Sequence, residues 1–212
     1  KDIAPTELGA QVVHESLKRA QVSGDDVGHV VFGHVVNTEP KDMYLSRVAA
    51  INGGCGEGTP AFNVNRLCGS GLQAIVSAAQ AIALGDCDIA IGGGAENMSR
   101  APYASLSSRW GNRMGDFKMI DMMIGALHDP FHNIHMGVTA ENIAAKMSIT
   151  REDQDTLAVE SHNRAERATQ AGYFKEQILP IVQKTRKGDV VFDTDEHFRS
   201  ACTLADMAKL KP

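Results

Sequence analysis

Asn65-Arg66-Leu67-Cys68-Gly69-Ser70-Gly71-Leu72 is the stretch around which the fold of this chain is organised. A short apolar run, Ala61–Val64, precedes it, and a long run of small residues, Gln73–Leu84, follows it. This pattern predicts a strand, a tight glycine turn and then a helix, with Cys68 at the turn. The residues that recur at helical spacing in the predicted helix are Leu72, Ile75, Val76, Ala79, Ile82 and Ala83.

Cys68 is a candidate nucleophile. We expect it in the first turn of the helix, where the positive end of the helix dipole favours the reactive thiolate. Gly69 and Gly71 carry no Cβ, so backbone N–H groups there can approach a ligand closely. A free cysteine is most often a buried and inert small residue. The coincidence of turn, glycines and helix favours the nucleophile instead.

Composition and charge narrow the class of protein. The 212 residues suffice for one large domain or two small ones. A net charge of −5 gives no electrostatic reason to expect nucleic acid or an anionic membrane as a partner. No apolar run reaches the length of a membrane span, and the first residues lack the pattern of a signal peptide.

The cysteines indicate the redox environment. They are scattered without a CxxC pair, which argues against a zinc ribbon or a disulfide scaffold. We therefore expect a reducing compartment, the cytoplasm or, in a eukaryote, an organelle matrix. The four positions are Cys55, Cys68, Cys87 and Cys202.

The elements that flank the central stretch predict an α/β fold. A helix capped by Thr6 is followed by the β-rich run Val27–Val36 and by a short helix over Met43–Ile51. Asp88–Asn97 is predicted as a buried strand with a triple glycine, Gly92–Gly94. Strand, helix and strand in this order predict a βαβ unit and a largely parallel sheet. The triple glycine could hold a phosphate, but close backbone packing beside the Cys68 helix is favoured.

The pattern changes after Met98. Residues 98–118 are loop-like, with large apolar side chains but no clear period. A helix is predicted to open at Thr139, and a capping box, Thr150–Asp153, precedes a longer helix over about residues 151–171. Ile178–Thr185 and Val190–Phe192 are predicted to form a hairpin.

Three histidines suggest a metal site, but the surrounding residues argue against it. His128, His132 and His135 lie at helical spacing, yet Pro130 interrupts any helix there. No acidic or cysteine partner completes a ligand set. No metal is therefore predicted.

Three long motifs resemble the N-terminal half of a thiolase, that is, an acetyl-CoA acetyltransferase or 3-ketoacyl-CoA thiolase. They are Asn65–Leu72, Gly92–Ser99 and His135–Asn142. The resemblance implies a mixed, largely parallel sheet with helices over residues 1–97, and an inserted α+β loop domain that binds coenzyme A over residues 98–212. It also implies that a first strand would precede Lys1 and that a C-terminal half would follow Pro212, so we expect the chain to be a fragment.

The resemblance assigns roles to five residues. Cys68 would become the acyl-cysteine, and its backbone N–H would be one donor of an oxyanion hole. Leu127 would contact the pantetheine arm of coenzyme A. His135 and Met136 would line the same tunnel, and Arg199 would lie beside the nucleotide end. Coenzyme A or acetyl-CoA enters as a substrate, and no permanently bound cofactor is implied.

The resemblance also implies acyl transfer in fatty-acid or ketone metabolism and a homo-oligomer. The segment Tyr103–Lys118, with Trp110, resembles the part through which family dimers pair into tetramers. His135–Gly137 favours the short-chain, biosynthetic members. Asp206 falls where some relatives carry a serine, so it is left out of the site.

The chain lacks part of the family's catalytic motifs, and two alternatives to a thiolase fragment stay open. It contains no Gly-His-Pro, Cys-x-Gly-Gly-Gly or Asn-Glu-Ala-Phe motif. We therefore expect the isolated 212 residues to be inactive. The alternatives are a non-catalytic subunit that binds coenzyme A or serves assembly, and another condensing enzyme of the thiolase superfamily.

Overall fold

The computed structural model describes residues 1–211 and divides between Asn133 and Ile134 into two units. The elements of the first unit, in chain order, are α1 (Pro5–Ala20), β1 (His29–Gly33), α2 (Leu45–Asn52), β2 (Ala61–Val64), α3 (Ser70–Ala83), β3 (Ala90–Gly94), β4 (Tyr103–Ala104), β5 (Ile120–Asp121) and α4 (Met122–Ala126). Those of the second unit are α5 (Met136–Met147), α6 (Arg151–Gln170), β6 (Ile181–Thr185), β7 (Gly188–Phe192) and α7 (Leu204–Met207).

A parallel three-stranded sheet with the order β2-β1-β3 forms the centre of the first unit. Val31 of β1 lies opposite Phe62 on one side and Gly92 on the other. Because the strands are parallel, their carboxyl ends meet at one edge of the sheet, and the turn before α3 lies there. The predicted βαβ unit is confirmed. The pairs β4–β5 and β6–β7 are antiparallel, so the chain as a whole has mixed pairing.

Side chains on the two faces of β1 build two core clusters. Val30 and Phe32 are fully buried with Val13 of α1 and Leu45 of α2. Val31 points to the other face, as alternation along a strand requires. There it packs against small residues of α3, Ala74 and Ala78. The sheet is therefore covered by α1 and α2 on one side and by α3 on the other.

Glycines let α3 lie close to the sheet. A Cβ on Gly92 would come within 2.8 Å of the Ile75 Cα, and one on Gly33 within 2.7 Å of the Ser70 carbonyl carbon. Distances this short are incompatible with any side chain at either position. The packing role predicted for the triple glycine is confirmed at Gly92.

The buried face of α3 is not the face marked by the residues that recur at helical spacing in the sequence. Ser70, Ala74, Ala78 and Ala81 are buried, whereas Leu72 is 69% exposed and Ile75 is 55% exposed. The predicted stripe of larger side chains therefore faces away from the sheet. The reason is the close approach at Gly33 and Gly92, which leaves room for nothing larger than serine or alanine underneath the helix.

Two predicted helix starts are wrong by a few residues. The N-cap of α1 is Ala4, with Pro5 in the first turn, and Thr6 is buried. The N-cap of α5 is His135 rather than a residue near Thr139.

Two other predictions in the second unit are confirmed. Thr150 and Asp153 form a reciprocal capping box at the start of α6. The hairpin forms between β6 and β7.

The division after Asn133 separates two compact units of the structure. The predicted boundary between residues 97 and 98 instead marks where the thiolase family carries an inserted domain. The predicted domains 1–97 and 98–212 therefore stay predictions. None of the helices within residues 1–211 is both long and apolar enough to cross a membrane.

Candidate active site

Cys68 lies in the turn that joins β2 to α3, and it is exposed. The helix begins at Ser70 with Gly69 as its N-cap, so Cys68 precedes the helix instead of standing in its first turn, as the sequence predicted. It still lies next to the N-terminus, where unpaired backbone N–H groups carry partial positive charge. The other three cysteines are more enclosed: Cys55 and Cys202 are buried and Cys87 is half-buried. Burial raises the pKa of the Cys55 thiol, which disfavours its thiolate.

A set of short hydrogen bonds closes the turn around Cys68. Leu67 adopts a left-handed conformation with a φ of 47°. Its N–H donates to the Asn65 Oδ1 at 3.0 Å, and its carbonyl accepts from the Ser70 hydroxyl at 2.6 Å and from the Ser70 N–H at 2.9 Å. The Ser70 hydroxyl oxygen also accepts from the Arg66 N–H at 2.9 Å. These bonds leave the Cys68 N–H unused.

An apolar cavity of about 390 Å³ opens beside Cys68. It lies at the carboxyl edge of the sheet, since Gly33 at the end of β1 and Gly94 at the end of β3 form part of its wall. Met123, Ala126 and Leu127 also line the cavity. In open parallel sheets this edge is where ligands bind. Cys68 and Leu127, which the sequence singled out separately, therefore line one cavity.

The short helix α4 positions Leu127. Asp121 is its N-cap and accepts hydrogen bonds from the N–H groups of Met123 at 2.9 Å and Ile124 at 3.2 Å. Leu127 follows the last residue of the helix as its C-cap, and its N–H donates to the Ile124 carbonyl at 3.0 Å. The sequence did not predict α4, because five residues are too few to show a helical period.

The side chains of Glu96 and His34 connect two segments of the cavity wall. The Glu96 carboxylate accepts from the N–H groups of Val35 at 2.8 Å and Val36 at 3.2 Å. All three residues line the cavity. The buried His34 places its Nδ1 2.8 Å from the Ala95 carbonyl, so this nitrogen carries the proton. The loop after β1 is thereby fastened to the loop after β3.

The other three predicted contacts of coenzyme A lie in the second unit. The His135 Nδ1 accepts from the Gly137 N–H at 3.0 Å, and the half-exposed Met136 follows as the first residue of α5. Arg199 is exposed, and its backbone N–H donates to the His162 Nδ1 at 3.2 Å. The Glu166 carboxylate accepts from the Ala201 N–H at 2.8 Å. Two residues of α6 therefore anchor the segment that carries Arg199.

The residues described include no cluster of three or more His, Cys, Asp or Glu side chains that could hold a metal ion. Asn65, Ser70 and Glu96 belong to the site although the sequence did not predict them there. Asn65 had a usable signal, since asparagine commonly accepts a hydrogen bond from the N–H two residues later. Glu96 acts through its bonds to Val35 and Val36, which lie 61 and 60 positions before it in the chain, and no local pattern predicts such a contact.

The chain is therefore an α/β protein with an exposed cysteine at a strand-to-helix turn, beside an apolar cavity at the carboxyl edge of a parallel sheet. Comparisons with known proteins specify the family. A model of the thiolase N-terminal domain matches residues 1–212, and the chain belongs to the thiolase family.

Individual relatives agree with this assignment. The chain is 69% identical over 212 residues to beta-ketothiolase BktB of Cupriavidus necator, and the match covers all of this chain and 54% of that protein. Among solved structures, the Bacillus anthracis acetyl-CoA acetyltransferase is 40% identical with a TM-score of 0.94, and the match covers 100% of this chain and 53% of that one. The human mitochondrial 3-ketoacyl-CoA thiolase is 37% identical with the same TM-score of 0.94, and the match covers 100% of this chain and 54% of that one. The predicted fold class and family are thereby confirmed.

The chain spans about half the length of the curated relatives it matches.

Proposed function

We propose that Cys68 is the nucleophile of an acyl transfer to and from coenzyme A, of the kind that thiolases catalyse. The observation that carries the proposal is the position of the exposed thiol beside an apolar cavity of about 390 Å³ at the carboxyl edge of the parallel sheet. Membership of the thiolase family supports the same chemistry.

The proposed reaction has two half-reactions. In the first, the Cys68 thiolate attacks the 3-keto carbonyl of a 3-ketoacyl-CoA, the bond between C2 and C3 breaks, and acetyl-CoA leaves after C2 is protonated. In the second, the thiol of another coenzyme A loses its proton and takes the acyl group from Cys68, which leaves as thiolate. The reverse sequence is a Claisen condensation of two acetyl-CoA molecules. The Cys68 N–H, unused by the bonds of the turn, is available to stabilise the oxyanion that forms at the attacked carbonyl.

The proposed contacts of coenzyme A fall into two groups. Leu127 lines the cavity beside Cys68, which supports its assignment to the pantetheine arm. His135 and Met136 are proposed to line the tunnel for the same arm. The exposed guanidinium of Arg199 suits a phosphate or the face of an adenine ring.

Three finer points belong to the same proposal. The His-Met-Gly sequence at His135–Gly137 favours short acyl chains. The segment Tyr103–Lys118 is proposed as a contact between subunits of a tetramer, and the exposed Trp110 and Met114 within it support that role. No permanently bound cofactor is needed for either half-reaction.

The test is acetylation of Cys68. The whole gene product that contains these 212 residues is incubated with acetyl-CoA, and peptide mass spectrometry locates the acetyl group. We expect the Cys68→Ala variant to lose the adduct. Cys87→Ala is the matched control, because Cys87 is half-buried and does not line the cavity, and it should keep the adduct.

Each alternative gives a different result in this experiment. A non-catalytic subunit that binds coenzyme A would retain the ligand without any covalent adduct. Acetylation that persists at the same level in Cys68→Ala would show that another residue is the nucleophile. Acetylation of Cys68 without thiolysis by added coenzyme A would favour another condensing enzyme of the superfamily.

A further inference from the structure

We propose that Asn65 is a positioning residue for Cys68, because it holds Leu67 in the left-handed conformation from which the turn presents the thiol. The inference deepens the proposed function, since it rests on Cys68 as the nucleophile. Asn65 does not itself line the cavity, and its side chain bonds the backbone groups of Val35 and Leu67, so it acts on Cys68 through the backbone.

Leu67 needs an external restraint. Its φ of 47° lies in the left-handed region, which is disfavoured for any residue with a Cβ. Such a conformation persists only where the surroundings determine it. Packing of the side chain does not supply the restraint, because Leu67 is 50% exposed. The peptide groups on either side of the Leu67 Cα must therefore be held by hydrogen bonds.

Two side chains hold those peptide groups. Ser70 holds the carbonyl of Leu67, and Ser70 is itself buried at the start of α3. Asn65 holds the N–H of Leu67 through its Oδ1. The two restraints differ in what fixes them. Ser70 is fixed by its helix, whereas Asn65 lies in an irregular segment between β2 and the turn and needs an anchor of its own.

The anchor of Asn65 is the loop after β1. The Asn65 Nδ2 donates to the Val35 carbonyl at 3.3 Å, and the Val35 N–H donates to the Glu96 carboxylate at 2.8 Å. The contacts run from the end of β3 through the end of β1 to the turn after β2. The three strand ends that frame the cavity are thereby linked to the residue immediately before Cys68.

The test is a double-mutant cycle between Asn65 and Leu67. Glycine adopts a φ of 47° without the steric penalty of a Cβ, so Leu67→Gly removes the need for the restraint. The readout is the rate at which acetyl-CoA acetylates Cys68 in the whole gene product, in a single turnover at saturating substrate. We expect Asn65→Ala to slow acetylation about tenfold when Leu67 is present, and by less than about twofold in the Leu67→Gly background.

Two controls guard against a merely structural explanation. Asn52→Ala removes an exposed asparagine at the end of α2 and should leave the rate unchanged. The unfolding temperature of each variant identifies any that fail to fold. Should Asn65→Ala fail to fold, Glu96→Gln tests the same path one step back, because the amide keeps one acceptor oxygen in place of two. Glu96→Gln should likewise slow the acetylation of Cys68 less in the Leu67→Gly background than when Leu67 is present.

Equal slowing in both backgrounds, or no slowing in either, would overturn the positioning role. These outcomes are distinct from failure of the proposed function. If Cys68→Ala retained the acetyl group, Cys68 would not be the nucleophile. If Cys68→Ala lost the acetyl group but Asn65 and Leu67 showed no coupling in the cycle, Cys68 would remain the proposed nucleophile and the positioning role of Asn65 would be refuted.

Discussion

Asp42 is a completely buried carboxylate in the loop that follows β1. Its Oδ2 accepts hydrogen bonds from the Thr38 N–H at 2.6 Å, the Thr38 hydroxyl at 2.7 Å and the Glu39 N–H at 3.2 Å. The same oxygen lies 3.8 Å from the His34 Nε2. Asp42 therefore fixes the shape of residues 38–42, which continue the segment that forms one wall of the cavity.

We predict that Asp42→Ala lowers the free energy of unfolding by about 3 kcal/mol, because it removes an acceptor of charge-assisted bonds and leaves their donors unpaired. Urea unfolding of the 212-residue chain, followed by circular dichroism, measures the change. Asp116→Ala is the matched control. Asp116 is exposed and should change the stability by less than about 0.5 kcal/mol. Equal effects of the two substitutions would contradict the structural role of Asp42.

At the scale of single residues, the sequence predicted the position of Cys68 but not the residues that hold it. The glycines and the apolar run around Cys68 are local, so the strand, turn and helix could be predicted from neighbours alone. Asn65 and Glu96 act through Val35, which is distant from both in sequence. Contacts between such distant residues follow from the order of the strands in the sheet, and no local sequence pattern predicts the order β2-β1-β3.

At the scale of elements, α3 shows which features of a helix hydrophobic periodicity can predict. Its extent was predicted because small and apolar residues fill the whole segment. Its buried face was not predicted, because the helix has apolar residues on more than one side. The side that packs against the sheet is the one with the smallest side chains. The selection is made by Gly33 and Gly92 on the strands, not by the helix. A hydrophobic stripe alone therefore does not identify the face that packs against a glycine-rich sheet.

Helix α7 offers a prediction about pH at the same scale. Asp206 pairs with Lys209 at 2.8 Å and forms a reciprocal capping box with Thr203. The Lys209 ammonium, followed by the hydroxyl and N–H of Thr203, lowers the pKa of Asp206 to about 2. Since the folded pKa is below the unfolded value of about 3.9, the ionised carboxylate stabilises the fold at higher pH. That contribution is complete above about pH 4 and is lost as the pH falls towards about 2.

The variant Asp206→Asn checks this prediction. Its unfolding temperature should lie below that of the parent chain above about pH 4, and the difference should shrink as the pH falls from there towards about 2. Asp195→Asn serves as the control, because Asp195 is exposed and does not cap a helix, and its difference from the parent should not follow this course. A constant difference for Asp206→Asn across the range would show that the cap does not depend on the ionised carboxylate.

At the scale of the whole molecule, the chain contains the turn of the proposed nucleophile Cys68 but not all the motifs that the thiolase resemblance associates with catalysis. Cys68, its turn and the cavity are present in residues 1–133. The Gly-His-Pro, Cys-x-Gly-Gly-Gly and Asn-Glu-Ala-Phe motifs that the thiolase resemblance associates with the remaining catalytic groups do not occur in residues 1–212. In nucleophilic catalysis a thiol is commonly activated by an adjacent general base. Under the proposed function, the turn presents the thiol, and proton transfer during turnover is expected to come from groups outside the turn.

We accordingly predict that residues 1–212 on their own give no thiolytic turnover of acetoacetyl-CoA, whereas the whole gene product cleaves it in a reaction that depends on Cys68. The loss of acetoacetyl-CoA absorbance on addition of coenzyme A measures both rates. If the proposed preference for short acyl chains holds, kcat/KM of the whole gene product for acetoacetyl-CoA should exceed that for a long-chain 3-ketoacyl-CoA by about tenfold or more. The Cys68→Ala variant of each protein gives the background. A Cys68-dependent rate in the isolated 212 residues would mean that the base lies within them, and His34, the buried histidine nearest in the chain to the cavity wall, would be the first residue to substitute.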